Sequence, residues 1–428
     1  MSLPSIIYNI FVIPLLYIGF HVLSLFHAKV RRGIRGRKAL FDHLRQKFAE
    51  QSDRTNRVLI HAASMGEFEQ ARPILRTIRE RYPDALLCVS VFSPSAFDHL
   101  KQNSEIDILT YLPFDSRKNV LRFLQIVNPS VIIFIRYDLW PNLVWQAHKR
   151  GIYTVLIDAS LQQTSWRQKP VIRQFNQAIF AKLDLICAIS EQAAEHIRTA
   201  FVPYAPVIAT GDTRFDQVVF RAKEKQISEI FSFPVDNWLQ SFVAGSTWPE
   251  DESIVLTAFA KLCQQQVGAR LILASHEPSE NHLAGCERLC KTLKLRTVRL
   301  SRNTGTEQAD VLLIDRIGIL ANLYAAASVA FVGGSFGPGV HNVIEPAAHS
   351  APVLFGPQMH NSPEAVDMTN AGCGTIVRNA DELYGLLQRL YTDSNLRNDL
   401  AERARQFVAA RTGADRRIIE LIHSKLSI

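Results

Sequence analysis

The sequence predicts an α/β protein of two successive doubly wound, Rossmann-like domains facing a cleft, preceded by a membrane-anchor helix. Three observations predict it. Short runs rich in β-branched residues alternate with amphipathic segments of helical period, and the alternation restarts about halfway along the chain. Small-residue loops follow several of those runs, where open parallel sheets bind ligands. An uncharged apolar stretch opens the chain and a basic cluster follows it. A length of 428 residues exceeds one ordinary core and agrees with two domains.

The anchor comes first. From Leu3 to Ala28 there is no Asp, Glu, Lys or Arg, a run longer than the ~20 residues that cross a bilayer core. A secretory signal carries its positive charges before the apolar run and a small-residue cleavage site after it. Here the order is reversed: Lys29, Arg31, Arg32, Arg35, Arg37, Lys38 and Arg45 follow, against only Asp42. That collar holds most of the formal +8 charge, so the basic balance is local and nucleic acid is a poor explanation for it. The positive-inside rule places the body in the cytoplasm, touching anionic lipid head groups. Pro4, Asn9, Pro14 and His21 leave two geometries open, a spanning helix and a tilted or shallow one.

After the anchor, "RVLIHAAS" reads as a strand and "RPILRTIRERY" as a helix with Ile74, Leu75 and Ile78 on one face. "ALLCVSVFS", "SVIIFIRYD", "YTVLIDAS" and "LDLICAIS" follow as strands at αβ spacing, which implies a parallel sheet covered on both faces. The charged segment Arg221–Trp238 reads as a domain connection. Beyond it, "SFVAGS", "ARLILAS", "RTVRLS", "DVLLID", "VAFVGGS" and "APVLFG" are strands, with "SIVLTAFAKLCQQ" and "GILANLYAAA" as helices between them. The expected parts are an anchor over 1–28 and domains over 29–225 and 226–428. Six scattered cysteines suit buried thiols in a reducing compartment. Only Cys286 and Cys290 are close, and their spacing lacks the second Cys or His pair of a zinc site.

Each informative loop follows a strand. In "VAFVGGSFGPGVHNVIEP", Gly333, Gly334, Gly337 and Gly339, with Ser335 among them, let backbone approach a ligand. A helix beginning near Asn342 then aims free N–H groups at an anion, with phosphate the obvious guest. Glu345 either accepts hydrogen bonds from a ribose or compensates the helix dipole. The glycine spacing is neither the dinucleotide fingerprint nor a P-loop, so no nicotinamide cofactor is expected. In "AGSTWPEDE", Ser246 and Thr247 either donate to a phosphate or cap the helix that Pro249 opens. "ASHEPSE" fails as H-E-x-x-H because its fifth residue is Glu280 and Pro278 interrupts it. No D-x-D occurs, so a metal-bound sugar nucleotide has no evident ligands.

In "SMGEFEQARP", Ser64 and Glu67 form a capping box, S-x-x-E, and the residues alone favour that reading. Gly66 and Pro73 weaken the helix and point instead to a loop shaped for a ligand. In "RYDLWPNL", Arg136 and Asp138 point to one side of an extended chain, as a structural pair or as catalytic groups. "GDTRFD" places Arg214 after a turn near the end of the first half, where its charge can face the cleft.

Taken in order, "SMGEFEQARP", "YLPFDSRKNVLRFL", "RYDLWPNL", "GDTRFD", "DRIGILANLYAAASVAFVGGSF" and "HNVIEPAAHSAPVLFGP" resemble the Kdo transferases. These membrane-anchored enzymes move 3-deoxy-D-manno-oct-2-ulosonic acid (Kdo) from CMP-Kdo onto lipid A precursor. The resemblance runs from the anchor to about Gly356. It implies a GT-B glycosyltransferase at the cytoplasmic face of the inner membrane, inverting and independent of metal or other cofactor. It implies that Glu67 is the catalytic base and that Arg214 stabilises the transition state. Asn342, Val343, Ile344 and Glu345 match the nucleotide-binding helix start, beside Gly334 and Ser335. Ile317, Gly318 and Ile319 match a CMP-holding segment, although Ile319 stands where an acidic residue is usual. Ser275 and His276 occupy the place of a Pro-Arg pair, and His276 is a weaker phosphate partner. Arg136 replaces the first glutamate of a usual Glu-Thr-Glu, Asp138 matches the second, and Ser160 stands where Arg is common. The departures at Arg136, Ser160 and His276 keep another nucleotide sugar open as donor; a membrane-bound nucleotide-sugar-binding protein without turnover is a separate alternative, against which the retained Glu67 argues.

Overall fold

Apolar runs long enough for one strand each, separated by helices, can bury both faces only in a parallel sheet, and the chain builds two. The structure is a computed structural model that describes residues 3–161, 167, 169–224, 231, 236–265, 268–302, 306 and 308–426. The chain divides into two compact units, Met1–Gln217 with Gly413–Ile428, and Val218–Thr412. The expected boundary at 225/226 lies outside the described residues, as does much of the expected connection around it.

The first unit holds β1 (Arg57–His61), β2 (Leu86–Val91), β3 (Ile108–Tyr111), β4 (Val131–Ile135), β5 (Tyr153–Ala159), β6 (Leu185–Ala188) and β7 (Val207–Ala209). All pair in parallel in the order β3-β2-β1-β4-β5-β6-β7. The order reverses between β1 and β4, where Val58 lies beside Val131. In this topology the crevice beyond the carboxyl ends of those two strands is the default ligand site. Val58, Leu59, Ile60 and all of β4 are fully buried.

The chain's last helices return to this unit, although the sequence reading carries the second domain to its end. Ile418, Ile419, Ile422 and Leu426 are buried in the first core. Thr77 donates to Asp415 at 2.6 Å, and Arg417 donates to the carbonyl of Thr210 at 2.7 Å.

The second unit holds β8 (Ser241–Thr247), β9 (Leu271–Ser275), β10 (Thr297–Arg299), β11 (Val311–Leu313), β12 (Ala327–Val332), β13 (Val353–Phe355) and β14 (Gly374–Ile376). Their order is β10-β11-β9-β8-β12-β13-β14, again all parallel. The reversal falls between β8 and β12. Two such parallel α/β units in one chain are the components of a GT-B fold.

One helix, Leu3–Phe26, is long and apolar enough to cross a membrane, with a mean hydropathy of 2.0 and only 6% of its apolar window buried. Its first half contains one π-helical turn, Tyr8–Val12. That turn is seated on the first unit: Tyr8 donates to Asp115 at 2.9 Å, and Asn9 and Asn142 exchange amide hydrogen bonds at 2.9 and 3.0 Å. Leu15, Leu25 and Phe26 remain exposed.

Candidate active site

In the first unit, β1 ends at His61 and the helix Met65–Arg81 begins four residues later, so Glu67 stands at the reversal between β1 and β4. The capping box is real. Ser64 Oγ accepts from Glu67 N at 3.4 Å, while Glu67 Oε2 accepts from Ser64 N at 3.3 Å and Ala63 N at 2.7 Å. All of this uses Oε2. Among the described residues, Glu67 Oε1 has no hydrogen-bond partner. Capping and chemistry therefore fall to different oxygens of one carboxylate. Burial raises the Glu67 carboxyl above its ordinary value, and the charge of Asp138 adds to this, against the Ala63 N–H and His61.

Asp138 follows β4. Its Oδ2 accepts from Trp140 Nε1 at 3.2 Å and lies 2.9 Å from Nε2 of the fully buried His61. The other His61 nitrogen lies 3.0 Å from Ser90 Oγ. Burial pushes Asp138 up, but His61, Trp140 and Arg167 outweigh it and hold the carboxylate below its ordinary value. His61 thus joins the ends of β1, β2 and β4, and sequence reading missed it. Its only sequence signal is a histidine directly after the apolar run Val58–Ile60. Arg136 lies in the left-handed region at φ 58°. Among the described residues its guanidinium makes no hydrogen bond or ion pair. The expected Arg136–Asp138 pairing is absent, and His61 takes the aspartate instead.

Arg214 opens the helix Thr213–Glu224 and grips Asp212, with Nε 2.9 Å and Nη2 2.6 Å from Oδ2. Next to it, Thr213 donates to the carbonyl of Gln70 at 2.8 Å, tying this helix to the one that carries Glu67. The fully buried Asp158 accepts from Thr213 N at 3.0 Å; burial and then the Asp212 charge raise it. Arg214 is thus a held cation with its side chain 31% exposed.

In the second unit, the glycine loop after β12 is organised differently from the sequence expectation. Gly334 N and Phe336 N donate to Asp251 at 2.7 and 3.1 Å, and Gly337 N and Gly339 N donate to the carbonyl of Gly334. Gly333 N donates to the carbonyl of Gly245. Those amides are spent inside the protein and do not form an open phosphate cradle. A Cβ on Gly333 would meet the Ser246 carbonyl at 2.4 Å, and one on Gly334 would meet the Gly339 carbonyl at 2.2 Å. The glycines admit the chain's own backbone. The signature in sequence is the same for either guest, which is why it misleads.

The structure gives these neighbouring residues the following places. The helix near Asn342 begins at Ile344 and runs only to Ala348, too short for a strong dipole. Val343 and Ile344 are buried, and the buried Ser335 donates to the carbonyl of Val332, so these side chains are occupied. Thr247 neither caps nor faces outward: the cap residue is Trp248, whose N–H goes to Asp251, and Thr247 Oγ1 donates to Glu252 at 3.0 Å. Ser275 Oγ donates to the same Glu252 oxygen at 2.6 Å.

What the second reversal does present is a stack of rings that no motif announced. His276 stacks on Trp248 at 5.2 Å and on His341 at 4.4 Å between centroids. Trp248 Nε1 donates to His341 Nε2 at 3.0 Å, which fixes that imidazole as an acceptor; burial and His276 lower it. Ser246, two residues before Trp248, lies in the left-handed region at φ 53°. Asn342 is exposed beside His341 and accepts from Ile344 N at 3.0 Å. Glu345 lies close enough to the buried Tyr324 to raise its hydroxyl further. In the segment after β11, Ile317 is 80% exposed, Gly318 has φ 82° with open space around it, and Ile319 packs on the core.

The family model for 3-deoxy-D-manno-octulosonic-acid transferases matches residues 42–217. The 3-deoxy-D-manno-octulosonic acid transferase of Haemophilus influenzae is 28% identical over 373 residues, 85% of this chain and 86% of that protein. The enzyme of the same name from Aquifex aeolicus is 27% identical, across 77% of this chain and 85% of its own. Among solved structures, UDP-GlcNAc 2-epimerase from Neisseria meningitidis shares the fold at a TM-score of 0.63 and 15% identity, over 86% of this chain and all of that one. A glycosyltransferase from Rickettsia africae does so at 0.58 and 13%, over 87% of this chain and 98% of its own. The family model over the first unit and the relatives that span both sheets make the chain similar to the Kdo transferases along most of its length.

Proposed function

We propose that the protein transfers Kdo from CMP-Kdo to a lipid A precursor in one inverting displacement, with Glu67 as general base. The observation that carries this is the divided Glu67 carboxylate. Oε2 is fixed by two backbone N–H groups, which orients the group, and Oε1 is left to meet an acceptor hydroxyl. Its raised proton affinity suits a base that must take a proton near neutral pH. In the step, an acceptor hydroxyl oxygen bonds to the anomeric carbon of Kdo as the bond to the CMP oxygen breaks. The hydroxyl proton passes to Glu67 and the electron pair leaves with CMP.

Cationic groups serve the charge that develops on CMP, and no metal is required by this chemistry. Arg214 is one candidate, shared with Asp212. His276 in its ring stack, with Ser246, Ser275, Ile317–Ile319 and Asn342–Glu345, is proposed to hold the nucleotide; there Val343, Ile344, Ser335 and Thr247 contribute through backbone or packing. The unpaired Arg136 suits the carboxylate that Kdo carries or a phosphate of the acceptor. The exposed helix Leu3–Phe26 and the basic collar are proposed to hold the body on the cytoplasmic face of the inner membrane, within reach of a lipid acceptor. Incubation of the full chain with CMP-Kdo and lipid A precursor should give a product heavier by one or more Kdo residues. Turnover of a different nucleotide sugar, with none of CMP-Kdo, would overturn the donor assignment.

A further inference from the structure

Behind the ends of β8 and β9 lies a cluster in which Glu252, His282 and Cys286 have no part in the transferase reading. Glu252, on the helix Pro249–Gln264, is 4% exposed and gathers four side chains. Thr247 and Ser275 donate to its Oε1. His282 Nε2 lies 2.9 Å from both of its oxygens, and Cys286 Sγ lies 3.1 Å from Oε2. His282 and Cys286 are four residues apart on the helix Glu280–Thr292 and so project from one face. One ligand atom from each of Glu252, His282 and Cys286 lies within 4.8 Å of the others.

We propose that Glu252, His282 and Cys286 form a binding site for a zinc-like divalent ion. The donor set is one carboxylate, one imidazole and one thiol, the types that tetrahedral zinc takes. Zinc bonds of about 2.0–2.3 Å put ligand atoms about 3.4 Å apart in a tetrahedron, close to the spacing already present. A thiol and an imidazole disfavour magnesium and calcium, which take oxygen shells. The charges balance. Cys286 gives its S–H proton to solvent and binds as thiolate, Glu252 binds as carboxylate, and His282 binds through Nε2 with its proton on Nδ1. Two anionic ligands neutralise the ion in a buried place. The fourth position falls to water or to the adjacent Ser275 hydroxyl. His282, with 18% of its side chain exposed, gives an entry path.

The ion would act on structure. Thr247 and Ser275 are the last residues of β8 and β9, and both hold the carboxylate that the ion would fix. Trp248 and His276, which stack on each other, come directly after them. A bound ion therefore stiffens the two turns that carry this stack. The expectation of no metal came from the missing D-x-D, the lone Cys286–Cys290 spacing and the resemblance, whereas this site needs a residue on one helix to meet two on another. Spacing alone could not show it: from Cys286 the sequence points to Cys290, but the converging partners are His282 and, 34 residues upstream, Glu252.

The test is metal binding by the full chain, stripped with chelator under reducing conditions and titrated with Zn(II) and then Co(II). One ion per chain is expected, with a near-ultraviolet thiolate-to-cobalt band and a rise in melting temperature. Cys286→Ser should abolish the band, and His282→Ala should weaken zinc binding by about 100-fold. Cys263→Ser should leave both unchanged. Absence of saturable binding at ~100 µM zinc, or a cobalt band that survives Cys286→Ser, would overturn the proposal. Should Cys286→Ser fail to fold, judged by circular dichroism, His282→Ala decides it through the same titration.

Discussion

His61 Nε2 stands 2.9 Å from Asp138 Oδ2, linking the end of β1 to the residues after β4. Both groups act on Glu67, in opposite senses: Asp138 raises its proton affinity and His61 lowers it. The kcat/KM of a transferase using Glu67 as base should fall on the acid side as that carboxylate protonates. Asp138→Asn removes the charge that favours the protonated form, so the acidic limb should move to lower pH. His61→Asn removes the opposing influence, and the limb should move to higher pH. Rate profiles against pH for the two variants check this, and shifts of the same sign in both would refute it.

Capping and catalysis separate at Ser64 and Glu67. Ser64→Ala deletes one long, exposed cap bond and should cost about 0.5–1 kcal/mol, with transfer preserved within a few-fold. Glu67→Gln keeps an acceptor oxygen for Ala63 and Ser64 but cannot take a proton, and should lose about 10²–10⁴ in kcat. CMP binding should stay within a few-fold in both. Because the folded Glu67 holds its proton more tightly than the unfolded chain does, its ionisation destabilises the fold as pH rises. Glu67→Gln should therefore be at least as stable as the parent at neutral pH. Full activity in Glu67→Gln, in the mass assay for Kdo transfer, would return the residue to a cap alone.

Strands buried on both faces are nearly continuous apolar runs, so eleven of the fourteen could be read from sequence. The three not read, β3, β7 and β14, lie at sheet edges, and their short runs (ILTY, VIA, GTI) mix polar or small residues with apolar ones. The return of 413–428 to the first unit depends on Ile418 and Ile419 meeting a core formed hundreds of residues earlier. At the site, Glu67, Asp138 and Arg214 come shortly after the ends of strands, where topology concentrates ligands. His61, Trp248 and His341 did not show, because what matters in each is a partner distant in sequence. The glycine loop was legible as close approach but not as to what approaches.

Glycine substitutions distinguish the two loops. A Cβ on Gly66 would meet nothing within 4 Å, and the residue lies in the first turn of a helix. Gly66→Ala should therefore stabilise by about 0.5–1 kcal/mol. If the open space belongs to substrate, the same change should raise KM. Gly334→Ala places a Cβ against the Gly339 carbonyl at a φ of 80° and should cost at least about 1–3 kcal/mol. Thermal melts of both variants, beside the acceptor KM for Gly66→Ala, give the answer. A tolerated Gly334→Ala would contradict the close packing of that loop.

The seat of the N-terminal helix has its own titration. Asp115 is buried, accepts from Asn142 N at 2.9 Å, Leu143 N at 3.1 Å and the Tyr8 hydroxyl, and burial pushes its carboxyl from 3.8 to about 7. Between those values the unfolded chain has released the proton that the folded Asp115 keeps. Its contribution to stability therefore declines as pH rises from about 4 to about 7. Asp115→Asn cannot ionise, so the variant should gain on the parent across that window in melts run at several pH values. A widening deficit of the variant as pH rises would reverse the sign and count against the assignment. Tyr8→Phe removes the hydrogen bond from the helix to this carboxylate, leaving the two amide donors in place. It should weaken docking by about 1–3 kcal/mol. In membranes, hydrogen exchange of the Tyr8–Val12 turn should then speed up while β1 and β4 stay protected, because the turn is released and the sheet is not.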